Sequence, residues 1–152
     1  MLLAINANNT NIKFSLYDGD KALGEWRQHT SATRTADEHA VWLTQLFDLN
    51  GFDRKMVTDA IIATTVPQAL FNLRRLCSYY FNTEPIVLGD ESTTYGMQVH
   101  ARPPVGADRI CNTVGASVLY PNEAAVVVEF GTATSFDVAD EVGDYRGGVI
   151  AP

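Results

Sequence analysis

An α/β fold is predicted, in which a βββαβα unit with a mixed sheet is followed by the start of a second copy. Three observations carry that prediction. The apolar patterns follow the order βββαβαβ, which places helices against a mixed sheet. A strand, turn, strand pattern at the N-terminus returns near residue 125. Between the strands lie helical stripes with recognisable start signals.

Taken in order, Leu2-Leu3-Ala4-Ile5 reads as a buried strand, followed by the polar turn Asn6 to Asn11 and a second strand, Ile12-Lys13-Phe14-Ser15-Leu16. Residues 2–6, 12–18 and 22–29 form a three-stranded meander, with Asp18-Gly19-Asp20 as its tight turn. Thr35-Ala36-Asp37-Glu38 has the spacing of a capping box and opens a helix. Val41, Leu43, Leu46, Phe47 and Leu49 make its apolar stripe, and Gly51 closes it. Ala60-Ile61-Ile62-Ala63 is a run of buried-strand type. Pro67 starts a second helix, with Leu70, Leu73, Leu76, Cys77 and Tyr80 along one side. Pro85-Ile86-Val87-Leu88 is a short strand, and 89–105 is a loop with a strand near Met97–Val99. Trp26, Trp42, Phe47 and Phe71 are assigned to core or helix packing.

A third helix runs from about Ala107 to Leu119, and the opening pattern then returns as strands at 125–130, 134–139 and 145–150. Glu141-Val142-Gly143-Asp144 takes the place of the first meander's turn. This is an internal repeat of long period. It divides the chain into a first subdomain, 1–105, and a linking helix with a truncated second subdomain, 106–152. Two stacked copies with a nucleotide between them form the actin-like (ribonuclease H-like) architecture. The second copy has its meander but no helices to cover it. The expectation is a fragment, or a face covered by another chain.

The totals narrow the function classes. With 152 residues and 46% hydrophobic content, the chain has ample material for a core. A net charge of −7 without a Lys/Arg-rich run argues against binding nucleic acid or anionic membrane by general electrostatics. No apolar run approaches the ~20 residues needed to span a bilayer. The apolar N-terminus is short, lacks a basic leader, and reads as a strand rather than a signal peptide. Cys77 and Cys111 form no CxxC pair, and read as reduced core thiols of a cytoplasmic protein. His29, His39 and His100 make no ligand cluster, which argues against zinc.

The chemistry sits in the two turns and the helix between them. The first turn is Asn6-Ala7-Asn8-Asn9-Thr10-Asn11; the second is Glu129-Phe130-Gly131-Thr132-Ala133-Thr134. Turns of this kind offer backbone N–H groups and short polar side chains to phosphate oxygens. Gly106-Ala107-Asp108-Arg109, at the start of the third helix, brings a carboxylate between them. A phosphoryl-transfer cleft follows from that layout. The bland readings stand beside it. Asparagines tolerate left-handed turns, Lys13 is equally a solvated strand residue, Asp108 suits any helix N-terminus, and Arg109 could be a surface salt bridge.

On these residues the chain resembles the type III pantothenate kinases. Asn6-Ala7-Asn8-Asn9-Thr10-Asn11-Ile12-Lys13 is similar to the family's first phosphate motif, Asp-x-Gly-Asn-Thr-x-x-Lys. Gly106-Ala107-Asp108-Arg109 matches the pantothenate motif unaltered. Glu129 to Thr134 resembles the second phosphate motif, and Gly147-Gly148-Val149-Ile150-Ala151-Pro152 the start of the adenosine motif. Arg34 to Glu38 and Val66 to Phe71 extend the likeness. The resemblance implies ATP-dependent phosphorylation of pantothenate, the first step of coenzyme A synthesis, by a cytoplasmic homodimer using Mg²⁺ and a monovalent cation (K⁺ or NH₄⁺). It implies Asp108 as general base, Gly106, Ala107, Asp108 and Arg109 on pantothenate, and Asn6 to Lys13 with Gly131 and Thr132 on ATP. Glu129 is implied at the monovalent cation.

Three positions depart from the family pattern. Asn6 stands where an Asp is expected near Mg²⁺, so an amide oxygen remains but the charge is gone. Asn8 replaces Gly, and Glu129 replaces Asp with one methylene more. These departures keep a second class open, a non-catalytic pantothenate- or nucleotide-binding protein on the same fold. A nuclease of the ribonuclease H-like class is a weaker reading, because it needs clustered carboxylates for two metals.

Overall fold

The computed structural model describes residues 1–89, 97–100, 105–131 and 133–152. It forms two compact units, Met1–Asp90 and Glu91–Pro152.

The first unit contains a five-stranded mixed sheet of order β3-β2-β1-β4-β5. Strands β1 (Leu2–Ala7), β2 (Asn11–Asp18) and β3 (Lys21–His29) form the antiparallel meander read from the sequence. Strands β4 (Asp59–Thr64) and β5 (Ile86–Val87) add parallel to β1 on its other side. Alternation decides which face is buried: Leu3, Ile5 and Ala7 of β1, with Ile12, Phe14 and Leu16 of β2, are all within 2% of full burial. Asn6 and Lys13, directly opposed in register, therefore share the other face.

Helix α1 (Ala36–Leu49) covers the apolar face and starts as predicted. The Glu38 N–H donates to the Thr35 hydroxyl at 3.3 Å, and the Thr35 N–H donates to the Glu38 carboxylate at 2.8 Å. The buried stripe is Ala36, His39, Ala40, Leu43 and Phe47. The expected stripe is corrected at Val41 and Leu49, which are 66% and 81% exposed; a helix puts only positions three and four apart on one face. Pro67 opens α2 (Pro67–Arg75), which runs into a π-helical turn at Leu76–Tyr80. Leu73, Leu76 and Cys77 are buried there. Phe71 is a second correction: it is 72% exposed, on the far side of α2 from the core. Trp26, Trp42 and Phe47 do pack inside, with Trp26 at 4.9 Å from Phe47 between ring centroids.

His39 is the buried residue the apolar stripe missed. It is 0% exposed, with Nδ1 2.7 Å from Gln28 Oε1 and Nε2 without a partner. Burial, reinforced by the positive charge of Arg34, pushes its pKa down to about 4. The unfolded chain then binds the extra proton first, so the stability is complete above pH 6.5 and is lost as pH falls toward 4. The slope approaches about 1.4 kcal/mol per pH unit. Urea unfolding between pH 7.5 and 5 should show this loss, and His39→Gln should flatten it. An unchanged slope in the variant would exclude His39 as its origin.

The second unit contains the antiparallel sheet β6-β7-β8, formed by β6 (Ala125–Phe130), β7 (Thr134–Ala139) and β8 (Tyr145–Ala151). The internal repeat is visible in its register. In the first meander β2 and β3 slip after the pair Leu16 and Gly24; in the second, β7 and β8 slip after Val138 and Gly147. Each slip lies just before the tight turn, where a bulge increases strand twist. Gln98 and His100 hydrogen-bond to the Tyr145 backbone, and Val99 forms a parallel bridge to it. The strand expected near Met97–Val99 is reduced to that single bridge at Val99. Helix α3 (Ala107–Leu119) packs on the face carrying Ser135, Asp137 and Ala139. The opposite face exposes Val126, Val128, Phe130, Phe136 and Val149.

Candidate functional site

The candidate residues divide between the two units. In the first, the polar turn is the hairpin end of β1 and β2. The Asn8 N–H donates to Asn11 O at 3.0 Å and closes the turn on itself. Two threonines brace it from elsewhere: Thr30 donates its hydroxyl to Asn8 O at 2.6 Å, and Thr64 to Ala7 O at 3.1 Å. Left-handed backbone at non-glycine positions occurs, among the described residues, at Asn82 and Asn122 and not in this turn. The asparagines are therefore not explained by turn strain, and Asn8 has no positive φ.

Side-chain direction sorts the first motif. Ala7 and Ile12 are fully buried in the core and offer only backbone to a ligand. Asn9, Thr10 and Asn11 are exposed, while Asn6, Asn8 and Lys13 are half-buried. The Oδ1 atoms of Asn6 and Asn8 are buried and lack a hydrogen-bond partner, a condition that costs free energy unless a ligand or water supplies a donor. They fit the water shell of a hydrated Mg²⁺ as neutral acceptors, without the charge a carboxylate would bring. Lys13 lies 3.7 Å from Glu25 in a pair that is more than 40% exposed on both sides, so that pair restrains it little.

In the second unit the turn of Glu129 to Thr134 is again self-closed, the Gly131 N–H donating to Ala133 O at 3.0 Å. Thr132 lies outside the described residues. Glu129 has its carboxylate fixed by Asn112 of α3, whose Nδ2 donates to Oε2 at 2.7 Å. Ser135 is paired opposite Glu129 in the ladder, and its hydroxyl is buried without a partner. A carboxylate, a fixed amide and an unpartnered hydroxyl make an oxygen-donor set that fits a hard monovalent cation. Asn112 and Ser135 were not found by sequence reasoning, because no local pattern links them to Glu129.

Gly106 caps α3 with no side-chain hydrogen bond, so Asp108 in the first turn takes the role. Its Oδ1 accepts the Arg109 N–H at 2.9 Å, which fixes the carboxylate at the helix N-terminus. Ala107 is buried beside it. Arg109 is not a surface residue: its side chain is 16% exposed, and its Nε donates to Asp137 Oδ1 at 2.8 Å. Tyr145 donates its hydroxyl to the same oxygen at 2.7 Å, and burial followed by that bond pushes its pKa up to about 12. The Cys111 thiol, near Asp108 on α3, is pushed up to about 11 by burial and by the Asp108 charge. It stays protonated at neutral pH and is no rival nucleophile. Cys77, buried in the first unit, is pushed up to about 12. Both cysteines are free. Among the described residues no three His, Cys, Asp or Glu side chains group to hold a metal, and no helix is long and apolar enough to cross a membrane.

The strand order of the first unit and the repeated meander define a protein of the actin-like class. Solved structures agree at the level of fold. A protein assigned as a 2-dehydro-3-deoxygalactonokinase from Sinorhizobium meliloti aligns over 99% of this chain and 53% of its own, with TM-score 0.61 at 12% identity. The reductive activator for a corrinoid, iron-sulfur protein aligns over 97% of this chain and 30% of its own, with TM-score 0.56 at 14% identity. The sequence profile of the type III pantothenate kinases matches residues 2–152, and the chain belongs to that family. The type III pantothenate kinase of Paramagnetospirillum magneticum is 50% identical over all of this chain and 59% of its own length. That of Rhodospirillum rubrum is 49% identical over all of this chain and 60% of its own. The chain thus spans about three fifths of the length of these curated relatives.

Proposed function

We propose that this chain carries the catalytic carboxylate and phosphate turns of an ATP-dependent pantothenate kinase, which makes 4′-phosphopantothenate in the first step of coenzyme A synthesis. The observation that carries the reading is the unaltered Gly106-Ala107-Asp108-Arg109 at the start of α3, with Asp108 held by a backbone N–H. Asp108 accepts the proton of the pantothenate hydroxyl as that oxygen attacks the γ-phosphorus, and ADP leaves with the bridging oxygen. Transfer of this kind needs positioning and charge stabilisation more than covalent help.

The remaining roles follow from the donor sets. Arg109 holds the substrate's carboxylate, for which a guanidinium is suited. Asn6 to Lys13, and Gly131 with Thr132, are assigned to binding the ATP phosphates. Asn6 and Asn8 receive the water shell of Mg²⁺, which neutralises phosphate charge when bound. Glu129 with Ser135 holds K⁺ or NH₄⁺. The working form is a cytoplasmic homodimer, with neither nucleic acid nor membrane as a partner.

The test is pantothenate-dependent ADP release by the full-length protein with Mg²⁺ and K⁺. A folded protein that releases no ADP above a pantothenate-free control would refute the assignment. Asn112→Ala, which frees the Glu129 carboxylate, should raise the K⁺ concentration for half-maximal activity about 10-fold, the scale of losses when a ligand's supporting partner is removed. An unaltered K⁺ dependence would separate Asn112 and Glu129 from the cation.

A further inference from the structure

The seat of Arg109 is built from Asp137 and Tyr145, which the quoted motifs do not contain, and from Gly148, which one of them does. Asp137, on β7, is 1% exposed and receives both the Arg109 Nε and the Tyr145 hydroxyl on one oxygen. Arg109 Nη2 approaches that oxygen to 2.6 Å. The other oxygen, Oδ2, is buried without a hydrogen bond, while Arg109 Nη2 is held by its ion-pair contact with Oδ1 and not by a second hydrogen bond. Gly148 completes the seat by having no side chain. A Cβ there would collide with Phe136 O, Asp137 Oδ1 and Arg109 Nη2, and backbone and ion pair leave it nowhere to go.

A buried ion pair contributes little net stability even when fully bonded, because desolvation offsets the attraction. This one also leaves the buried Asp137 Oδ2 without a donor, which makes it weaker still. Its physical effect lies in orientation. The Nε edge of the guanidinium is tied to Asp137, its position is closed behind by β8, and the rest of its N–H groups are held in one plane. A fixed guanidinium meets a carboxylate without first losing side-chain entropy, and preorganisation of that kind is what raises selectivity.

We propose that Asp137, with Tyr145 and Gly148, is a positioning group for Arg109 and sets the enzyme's preference for a substrate with an anionic end. This rests on the reading of Arg109 as the holder of the substrate's carboxylate. Asp137 touches no reacting atom; it acts through Arg109 alone. Gly148 thereby has a structural duty in this seat, in addition to its place in the motif that resembles an adenosine site.

The test compares kcat/KM of the full-length protein for pantothenate and for pantothenyl alcohol, whose carboxylate is replaced by a neutral hydroxymethyl group. Asp137→Asn keeps the shape and an acceptor but removes the charge. The preference for pantothenate should fall about tenfold, as a displaced positioning group predicts. Tyr145→Phe, which removes one hydroxyl, should lower it several-fold and serves if Asp137→Asn does not fold. In an Arg109→Met background neither change should alter the ratio further. If Asp137→Asn and Tyr145→Phe slow both substrates equally, their role is structural and the proposal is overturned. If Arg109→Met keeps the preference, the reading of Arg109 fails and takes the proposal with it. A parent protein that turns over neither substrate removes the kinase assignment itself.

Discussion

Asp108→Asn should lower kcat for pantothenate phosphorylation by about 10³-fold, within the 10²–10⁴ range that a positioned general base contributes. The substitution keeps the size of the side chain and an oxygen that still accepts the Arg109 N–H, so α3 should start as before. What is lost is the basic oxygen. Pantothenate binding should change little, because the substrate's carboxylate is assigned to Arg109 and not to Asp108. Steady-state kinetics with calorimetric titration of pantothenate separate the two effects. Turnover within a few-fold of the parent would remove Asp108 as the base and leave it as a helix-capping carboxylate.

The second large effect concerns the two altered strand ends. Asn6, the penultimate residue of β1, lies on the face opposite the apolar one with a buried, unpartnered Oδ1. Restoring an acid there supplies a charged acceptor for the Mg²⁺ water shell. Glu129 reaches one methylene further than Asp, and a shift of ~1 Å at a positioned group is worth as much as about 10²-fold in rate. Asn6→Asp with Glu129→Asp is therefore expected to raise kcat/KM for Mg-ATP by about 10-fold or more. The danger is specific. Asn112 is set to reach Glu129 at 2.7 Å, and a shorter side chain could lose that bond, so the single variants should be measured beside the double. If neither single nor double variant moves Mg-ATP kinetics, those positions are not linked to the metals in this protein.

Much of the fold was legible because it is encoded locally. The capping box at Thr35 and Glu38 joins residues three apart, and its two hydrogen bonds are those the spacing predicts. The meander was legible from its strand-like runs and the Asp18-Gly19-Asp20 turn, and the structure puts Leu3, Ile5, Ile12, Phe14 and Leu16 on its buried face. The repeat was legible from its turns, and the matching register slips at Leu16 and Val138 carry it into geometry. Helix faces were less so. Val41, Leu49 and Phe71 are apolar and exposed, while His39 is polar and buried. Hydrophobicity alone gives a helix several candidate stripes, and only the sheet beneath selects one.

The site shows the same division. Asp108 and Arg109, the Asn6 to Lys13 turn and Glu129 were candidates from the sequence, through the phosphate-type turns and the family resemblance. By itself the sequence determined the element order, the helix starts, the repeat and the motif that carries the proposed catalytic carboxylate. Only the tertiary structure decided that Ala7 and Ile12 face the core, that Asn112 aims Glu129, and that Arg109 rests on Asp137 and Tyr145. Those partners stand 17, 28 and 8 residues apart. Strand register and helix packing bring them together, and a pair chosen by geometry at that separation leaves no periodic mark in the sequence.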